Sequence, residues 1–376
     1  MSSIANNKNK IDELESIRGI AALIVVMYHI PGWNSFLHQI PLIRGGGIMV
    51  DLFFVLSGFV IYSAYGNKLN SAKEVLQFQF LRFGRLYPVH LTFLLVALGI
   101  ETLKYILQAY FGIESHSKAP FVQNNLAAFL RELFLVKAFW PNETAMSFNS
   151  PAWSISAEFY TYVIFALIIH WFREFKTLVF ASIAIVSIYV LYAFDPEHYN
   201  FMLRCLAGFF VGCLTAYGIQ KVKKYPHDGV YKLSIWLIPL SIFWIIIIAS
   251  TAQGYTGTAL FIYPVSALLI AAITLSPANV FKRILSHAWL VWLGTISYSL
   301  YMAHGAVLWC YQQVIRILFH RPELMIHGIS TPQFSALEAA GLITLFLLIA
   351  FIVSHITYLL IEKPFREKSR ALLRSS

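Results

Sequence analysis

Charged side chains are scarce in this sequence. Asp, Glu, Lys and Arg make up 12% of its 376 residues, about half the share usual in a soluble globular protein. With 58% of the residues apolar, too little polar surface remains to wrap a water-soluble core, and a soluble fold is excluded. Cysteine is rarer still. Cys205, Cys213 and Cys310 each sit in an apolar run, odd in number and without CxxC spacing, so neither a disulfide framework nor a zinc site is expected, and no metal is called for. They read as packing thiols. A secretory signal is missing too: MSSIANNKNKIDELES is polar, the first apolar run starts at Ile17, and no small-residue cleavage site follows, so this stretch is expected in the mature protein. Acidic residues are outnumbered, 18 against 28 basic ones, for a formal charge of +10. That excess is spread between apolar runs rather than gathered on a recognition face, which argues against nucleic acid.

What fills the sequence is apolar runs of about 17 to 25 residues, each long enough to cross roughly 30 Å of hydrocarbon as a helix. The expected fold class is an all-α integral membrane protein of about ten transmembrane helices. In the first half they fall near 17–33, 46–65, 86–107, 151–170 and 177–194, and in the second near 200–219, 233–250, 258–276, 289–318 and 337–361. With the N-terminus in the cytoplasm, the inner segments hold 20 of the 28 Lys and Arg residues, as the positive-inside rule requires. Both termini are therefore expected in the cytoplasm. Residues 1–16 read as an N-terminal tail, 17–361 as one membrane domain and 362–376 as a basic tail. No strong internal repeat, linker or appended soluble domain interrupts this pattern. Between Gln108 and Ser150 the stretch FLRELFLVKAFW is expected as an amphipathic helix on the outer interface, where its Phe and Trp residues suit the headgroup level.

Ionisable side chains at membrane depth are costly, so those present become functional candidates. Arg18 and His29 are eleven residues apart on the first helix, which brings them to one face, roughly 20° apart in azimuth and roughly 16 Å apart along the axis. The competing readings are an inner-edge anchor for Arg18 and a backbone-capped interfacial histidine for His29. Arg82 and Arg85, in RFGRLYP, lie at i and i+3 on a turn just before the third span and could form a fork for phosphate oxygens, or simply anchor the inner edge. Asp51 falls early in the second span and Glu158 about two turns into the fourth, and both spans enter from the outer side. They are expected near the depth of His29, where either could orient its imidazole, or else serve as buried carboxylates paired with Arg204 or another polar group. Ser297, Tyr301 and His304 form a polar stripe on the ninth helix, suited to a substrate tunnel or equally to interhelical hydrogen bonding.

Taken together these blocks resemble the membrane-bound acyltransferase-3 family, which acylates carbohydrates and some small molecules. The resemblance covers nearly the whole chain. The family's basic residue, ten residues, then histidine is similar to Arg18 and His29, and its Arg-x-x-Arg element to Arg82 and Arg85. DLFFVLSGF, PAWSISAEF, ISYSLYMAH and IEKP look like further family blocks. The resemblance implies a multi-pass protein of the bacterial cytoplasmic membrane that transfers an acetyl group from acetyl-CoA to a carbohydrate hydroxyl. It also implies catalysis by His29, with Glu158 in the site and Arg18, Arg82 and Arg85 on the acyl-CoA side. Asp51, Ser297, Tyr301 and His304 are then supporting or substrate-binding residues. Many members carry a fused SGNH-type hydrolase domain; none is expected here, where a short basic tail follows the last span.

The competing class is a transporter or flippase for a carbohydrate or lipid-linked sugar. It calls for paired broken helices in related halves, and only GGGIM hints at such a break.

Overall fold

The computed structural model describes residues 11–113, 118–194, 200–225, 228–252, 257–326 and 329–375. It is an all-α integral membrane bundle with one small β-hairpin. The long helices are α1 (Asp12–Tyr28), α2 (Met49–Tyr65), α3 (Ala72–Phe111), α4 (Trp153–Trp171), α5 (Lys176–Phe194), α6 (Phe201–Lys224), α7 (Asp228–Thr251), α8 (Ile262–Leu275), α9 (Ala288–Phe319), α10 (Ala336–Thr357) and α11 (Lys363–Ser375). Each of the ten expected spans contains a helix, but the first ends at Tyr28, five residues short of its expected close, and His29 caps it. Among the described residues, eight helical segments are long and apolar enough to cross a membrane. The two expected spans outside that set are α1, which is 17 residues long, and α9, which carries the Ser297, Tyr301 and His304 stripe. These two pack against each other inside the bundle, where neighbouring protein replaces lipid around their polar groups.

Close helix crossings rest on glycine. A Cβ at Gly294 on α9 would collide with the Glu15 carbonyl of α1, and one at Gly212 on α6 would collide with the Val55 carbonyl of α2. Gly208 and Gly212 form the small-xxx-small spacing that lets membrane helices approach backbone to backbone.

Several expectations are corrected. The third span is not a helix of 86–107 preceded by a turn but the middle of the 40-residue α3, about 60 Å long and so roughly twice the hydrocarbon thickness. Ser71 and Glu74 close a capping box at its start, and the helix continues through Pro88, a residue that membrane helices tolerate. Arg82 and Arg85 therefore sit on a continuous helix.

FLRELFLVKAFW is not one helix either. A short helix ends at Leu133, Leu135 takes a positive φ of 57°, and a single 3₁₀ turn follows at Lys137–Phe139. The break turns the Glu132 and Lys137 side chains inward to pair in the interior, while Leu126, Leu130, Phe134, Phe139 and Trp140 remain exposed. His90 of α3 meets the Glu132 carbonyl at 2.9 Å, and Lys137 also donates to the Ser147 and Asn149 carbonyls, at 3.2 Å each.

At the N-terminus α1 already begins at Asp12, and residues 1–10 lie outside the described residues. At the other end the basic tail is ordered as α11, which lies on α3: a Cβ at Gly84 would come within 2.6 Å of Ser369. A π-helical turn, Tyr358–Glu362, joins α10 to α11. Of the three thiols, Cys205 and Cys213 are buried, whereas Cys310 is exposed.

The hairpin, Glu323–Ile326 paired antiparallel with Ile329–Pro332, was not foreseen. The residues after it are tied to the segment that leaves α1: the Phe334 N–H donates to Trp33 O at 2.8 Å, and Asn34 donates to Phe334 O at 3.1 Å.

Candidate active site

Helices α1, α2, α3, α4 and α9 wall a central cavity of about 90 Å³. Its lining on α2 runs from Val50 to Ile61, which is roughly 16 Å of helix. The cavity is elongated along the bundle. Because Gly19 abuts Gly294 and His29 abuts His304, α1 and α9 run parallel, and the two ends of the cavity can be told apart.

One end is cationic. Arg18 and Arg85 line it together with Ser57, Tyr162 and Tyr298. Arg18 is held to Glu15 at 3.0 Å, one turn back on α1. Arg85 makes no hydrogen bond or ion pair among the described residues, and Glu362, Glu158 and Glu15 lie within its electrostatic reach. Arg82 does not share this position. Its guanidinium lies 5.5 Å from the Tyr65 ring centroid, 5.5 Å from Phe78 and 6.0 Å from Tyr162, inside an aromatic cage. The expected fork is thus divided, with Arg85 facing the cavity and Arg82 packed behind it.

Glu158 lies on the cavity wall, bonded by Ser57 and Tyr162, which are themselves 2.9 Å apart. One turn earlier on α4, Ser154 donates to the Tyr301 hydroxyl at 2.9 Å, and Tyr301 donates to the Pro151 carbonyl at 2.9 Å. Tyr301 and Ser297 both line the cavity; Ser297 donates to Gly294 O at 2.7 Å.

Beyond Tyr301, behind the cavity wall, lie two imidazoles. The His304 ring is 5.9 Å from Tyr301 and 4.8 Å from His29. His29 Nδ1 is 2.8 Å from Val25 O, and His304 Nδ1 is 2.7 Å from Tyr301 O. A carbonyl only accepts, so both Nδ1 atoms carry the proton and both Nε2 atoms present a lone pair. The His304 Nε2 is buried with no hydrogen-bond partner.

The expectation that Asp51 or Glu158 orients His29 is corrected by these contacts. The Val25 carbonyl fixes the imidazole instead. Asp51 is committed elsewhere: Arg204 meets it in a two-pronged ion pair at 3.1 and 2.7 Å, and Tyr263 donates to it at 2.9 Å. Arg204 in turn lies 4.8 Å from the Trp153 ring. This is the structural alternative for Asp51, a buried pair that ties α2 to α6.

Residues 11–358 match the family model described as an acyltransferase domain, that of the acyltransferase-3 proteins. The chain belongs to the acyltransferase-3 family. It is similar to the acyltransferase MdmB of Streptomyces mycarofaciens, 32% identical over 172 residues that make up 44% of this chain and 40% of that protein. It is also similar to the O-acetyltransferase OatA of Staphylococcus aureus, 23% identical over 325 residues, 78% of this chain and 50% of the relative. The chain spans about half the length, or less, of these curated relatives. No solved structure matches it.

Within this acyltransferase-3 fold the structure adds residues that sequence reasoning did not single out. Ser57, Tyr162 and Tyr298 line the cavity, with Tyr298 donating to Leu86 O at 2.6 Å. Glu362 of the IEKP block is buried, accepts from Ser299 at 2.7 Å, and stands within electrostatic reach of Arg85, Arg366 and Arg18. Its signal was available, as an acidic residue directly at the end of the last apolar run. Ser299, two residues from Ser297, lay off the stripe that drew attention.

Proposed function

We propose that the chain is a membrane-bound O-acyltransferase that moves an acetyl group from acetyl-CoA to a hydroxyl of a cell-surface or exported carbohydrate, in a bacterial cytoplasmic membrane. The observation that carries this reading is a cavity lined by guanidinium groups, with the His304 and His29 imidazoles packed in turn just past Tyr301 of its wall. Family membership and the O-acetyltransferase relative support the reaction class.

The residues suit such a donor. Arg18 and Arg85 offer charge and bidentate geometry to phosphate and cannot give up their protons. The roughly 16 Å of cavity suits an extended pantetheine arm lying between them and the imidazoles. Glu158, fixed by Ser57 and Tyr162, presents an acceptor on the wall for the amide N–H groups of that arm. At the far end the acceptor hydroxyl gives its proton to His29 Nε2 as its oxygen attacks the thioester carbon. The C–S bond breaks, the thiolate takes the proton back from the imidazolium, and the products are an O-acyl ester and free CoA thiol. Holding donor and acceptor together supplies much of the acceleration.

The test supplies isotopically labelled acetyl-CoA to the purified chain in proteoliposomes and compares surface glycans by mass spectrometry with and without the protein. Label appearing as one acetyl ester on a glycan is the expected result. Failure to bind or consume acetyl-CoA under conditions that preserve the fold would sink the donor assignment.

A further inference from the structure

Outside the cavity, positive charge gathers where the last helix meets α3. Between residues 363 and 374 the sequence has five basic residues, Lys363, Arg366, Lys368, Arg370 and Arg374, against one acidic residue, Glu367. Arg366, Arg370 and Arg374 recur every fourth position and so share one face of α11, over roughly 12 Å. Ser369 seats this helix on α3 at Gly84, next to Arg85. The arginines of the two helices consequently converge: Arg370 is within electrostatic reach of Arg366, Arg85 and Arg374.

Like charges brought together repel, and arginine cannot relieve the repulsion by losing a proton. Among the described residues, neither Arg85, Arg370 nor Arg374 has an ion pair or hydrogen bond that would offset it. Arg366 touches the Tyr358 hydroxyl at 3.4 Å and lies 5.8 Å from its ring, while its Nε is buried without a partner. Glu362 lies within electrostatic reach of Arg85 and Arg366, whereas an anion from outside the chain would complete the cluster along Arg370 and Arg374. Arg85 also lines the cavity, so the cluster continues directly from the cationic end where a donor's arm would enter.

We propose that Arg366, Arg370 and Arg374, together with Arg85, form the subsite for the phosphorylated nucleotide end of acyl-CoA. This rests on the donor reading given above. The diphosphate and the ribose 3′-phosphate lie along the α11 face, and the pantetheine arm turns past Arg85 into the cavity. An anionic lipid headgroup offers the same phosphate chemistry, and the test separates the two sources.

CoA binding is measured by calorimetry on the full-length chain in nanodiscs of zwitterionic phosphatidylcholine, for wild type, Arg370→Gln/Arg374→Gln and Arg374→Gln. Arg374 is exposed, so its single variant guards against loss of fold in the double one. The double variant is expected to weaken CoA binding about tenfold or more, equivalent to about 1.4 kcal/mol or above, and the single variant to weaken it measurably. The KM for acetyl-CoA should rise in step, while the rate with acetyl-pantetheine, which lacks the nucleotide, stays the same. Wild-type binding of CoA with unchanged affinity in both variants overturns the subsite alone. So does a defect seen only when phosphatidylglycerol is added, which reassigns the arginines to lipid. Absence of CoA binding by wild type overturns the donor reading and the subsite with it.

Discussion

His29 and His304 face each other at 4.8 Å between ring centroids, on parallel helices, and each commits its Nδ1 proton to a carbonyl of its own helix. The pair therefore offers two Nε2 lone pairs just past Tyr301 of the cavity wall, the one on His304 fully enclosed. Such a pair can take up a proton at His29 without any carboxylate contact.

Replacing His29 by Ala should leave insertion, fold and CoA binding intact and lower transfer by about 100- to 10,000-fold, the usual worth of general-base catalysis. His304→Ala should cost less, because it removes a neighbour of the base and not the base itself. Single-turnover transfer by folded variants in nanodiscs, with donor binding measured separately, checks both. Near-normal transfer by His29→Ala overturns the mechanism.

Arg82 and Arg85 should behave differently despite their shared motif. Arg85→Ala is expected to raise the Kd for CoA with little change in thermal stability, because its guanidinium faces the cavity without a protein hydrogen bond. Arg82→Ala empties an aromatic cage and should lower stability, on the order of 1–2 kcal/mol from lost cation–π contact. Paired measurements of Tm and CoA affinity decide the matter. Equal loss of affinity in both at unchanged Tm would restore the fork.

Asp51→Asn should destabilise the bundle by about 3–5 kcal/mol, since it leaves the Arg204 charge buried with its main partner gone. The measurement is the detergent-solubilised melting curve of the purified variant. Full stability combined with loss of transfer would instead place Asp51 in the chemistry.

The two chain ends are predicted on the cytoplasmic side. Cysteines placed at positions 5 and 372 should be protected from a membrane-impermeant thiol reagent in intact cells and labelled after lysis. Labelling of one end in intact cells would require an odd number of crossings.

Helix positions were legible because a long apolar run is written locally, and hydrocarbon thickness sets its length. The polar pattern on α1 and α9 was legible as well, since Arg18 with His29 and Ser297 with Tyr301 obey helical spacing. Partners distant in sequence were not. Arg204 could be named only as one of several possible mates for Asp51, 153 residues away, and the carbonyl of Val25 gives no side-chain signal at all. Depth misled where it was inferred from span order: Ser154 reaches Tyr301, which leaves Glu158 a full turn nearer the arginines than the shared outer level implied. Arg82 and Arg85 looked like a pair on a turn ahead of the third span because apolar content starts only after them, whereas the Ser71 and Glu74 capping box marks the true start of the helix.

The π-helical turn at Tyr358–Glu362 sets the rotational phase of everything that follows it. Such a turn accommodates one residue more than an α-helical turn, and each residue is worth roughly 100° of rotation about the axis. Deleting a single residue there would let the helix run on smoothly and would change neither composition nor hydropathy noticeably. It would nevertheless swing Ser369 away from Gly84 and rotate the arginine face of α11 by roughly 100°. In this fold, the alignment of the charged face with the cavity is held by one surplus residue in the backbone.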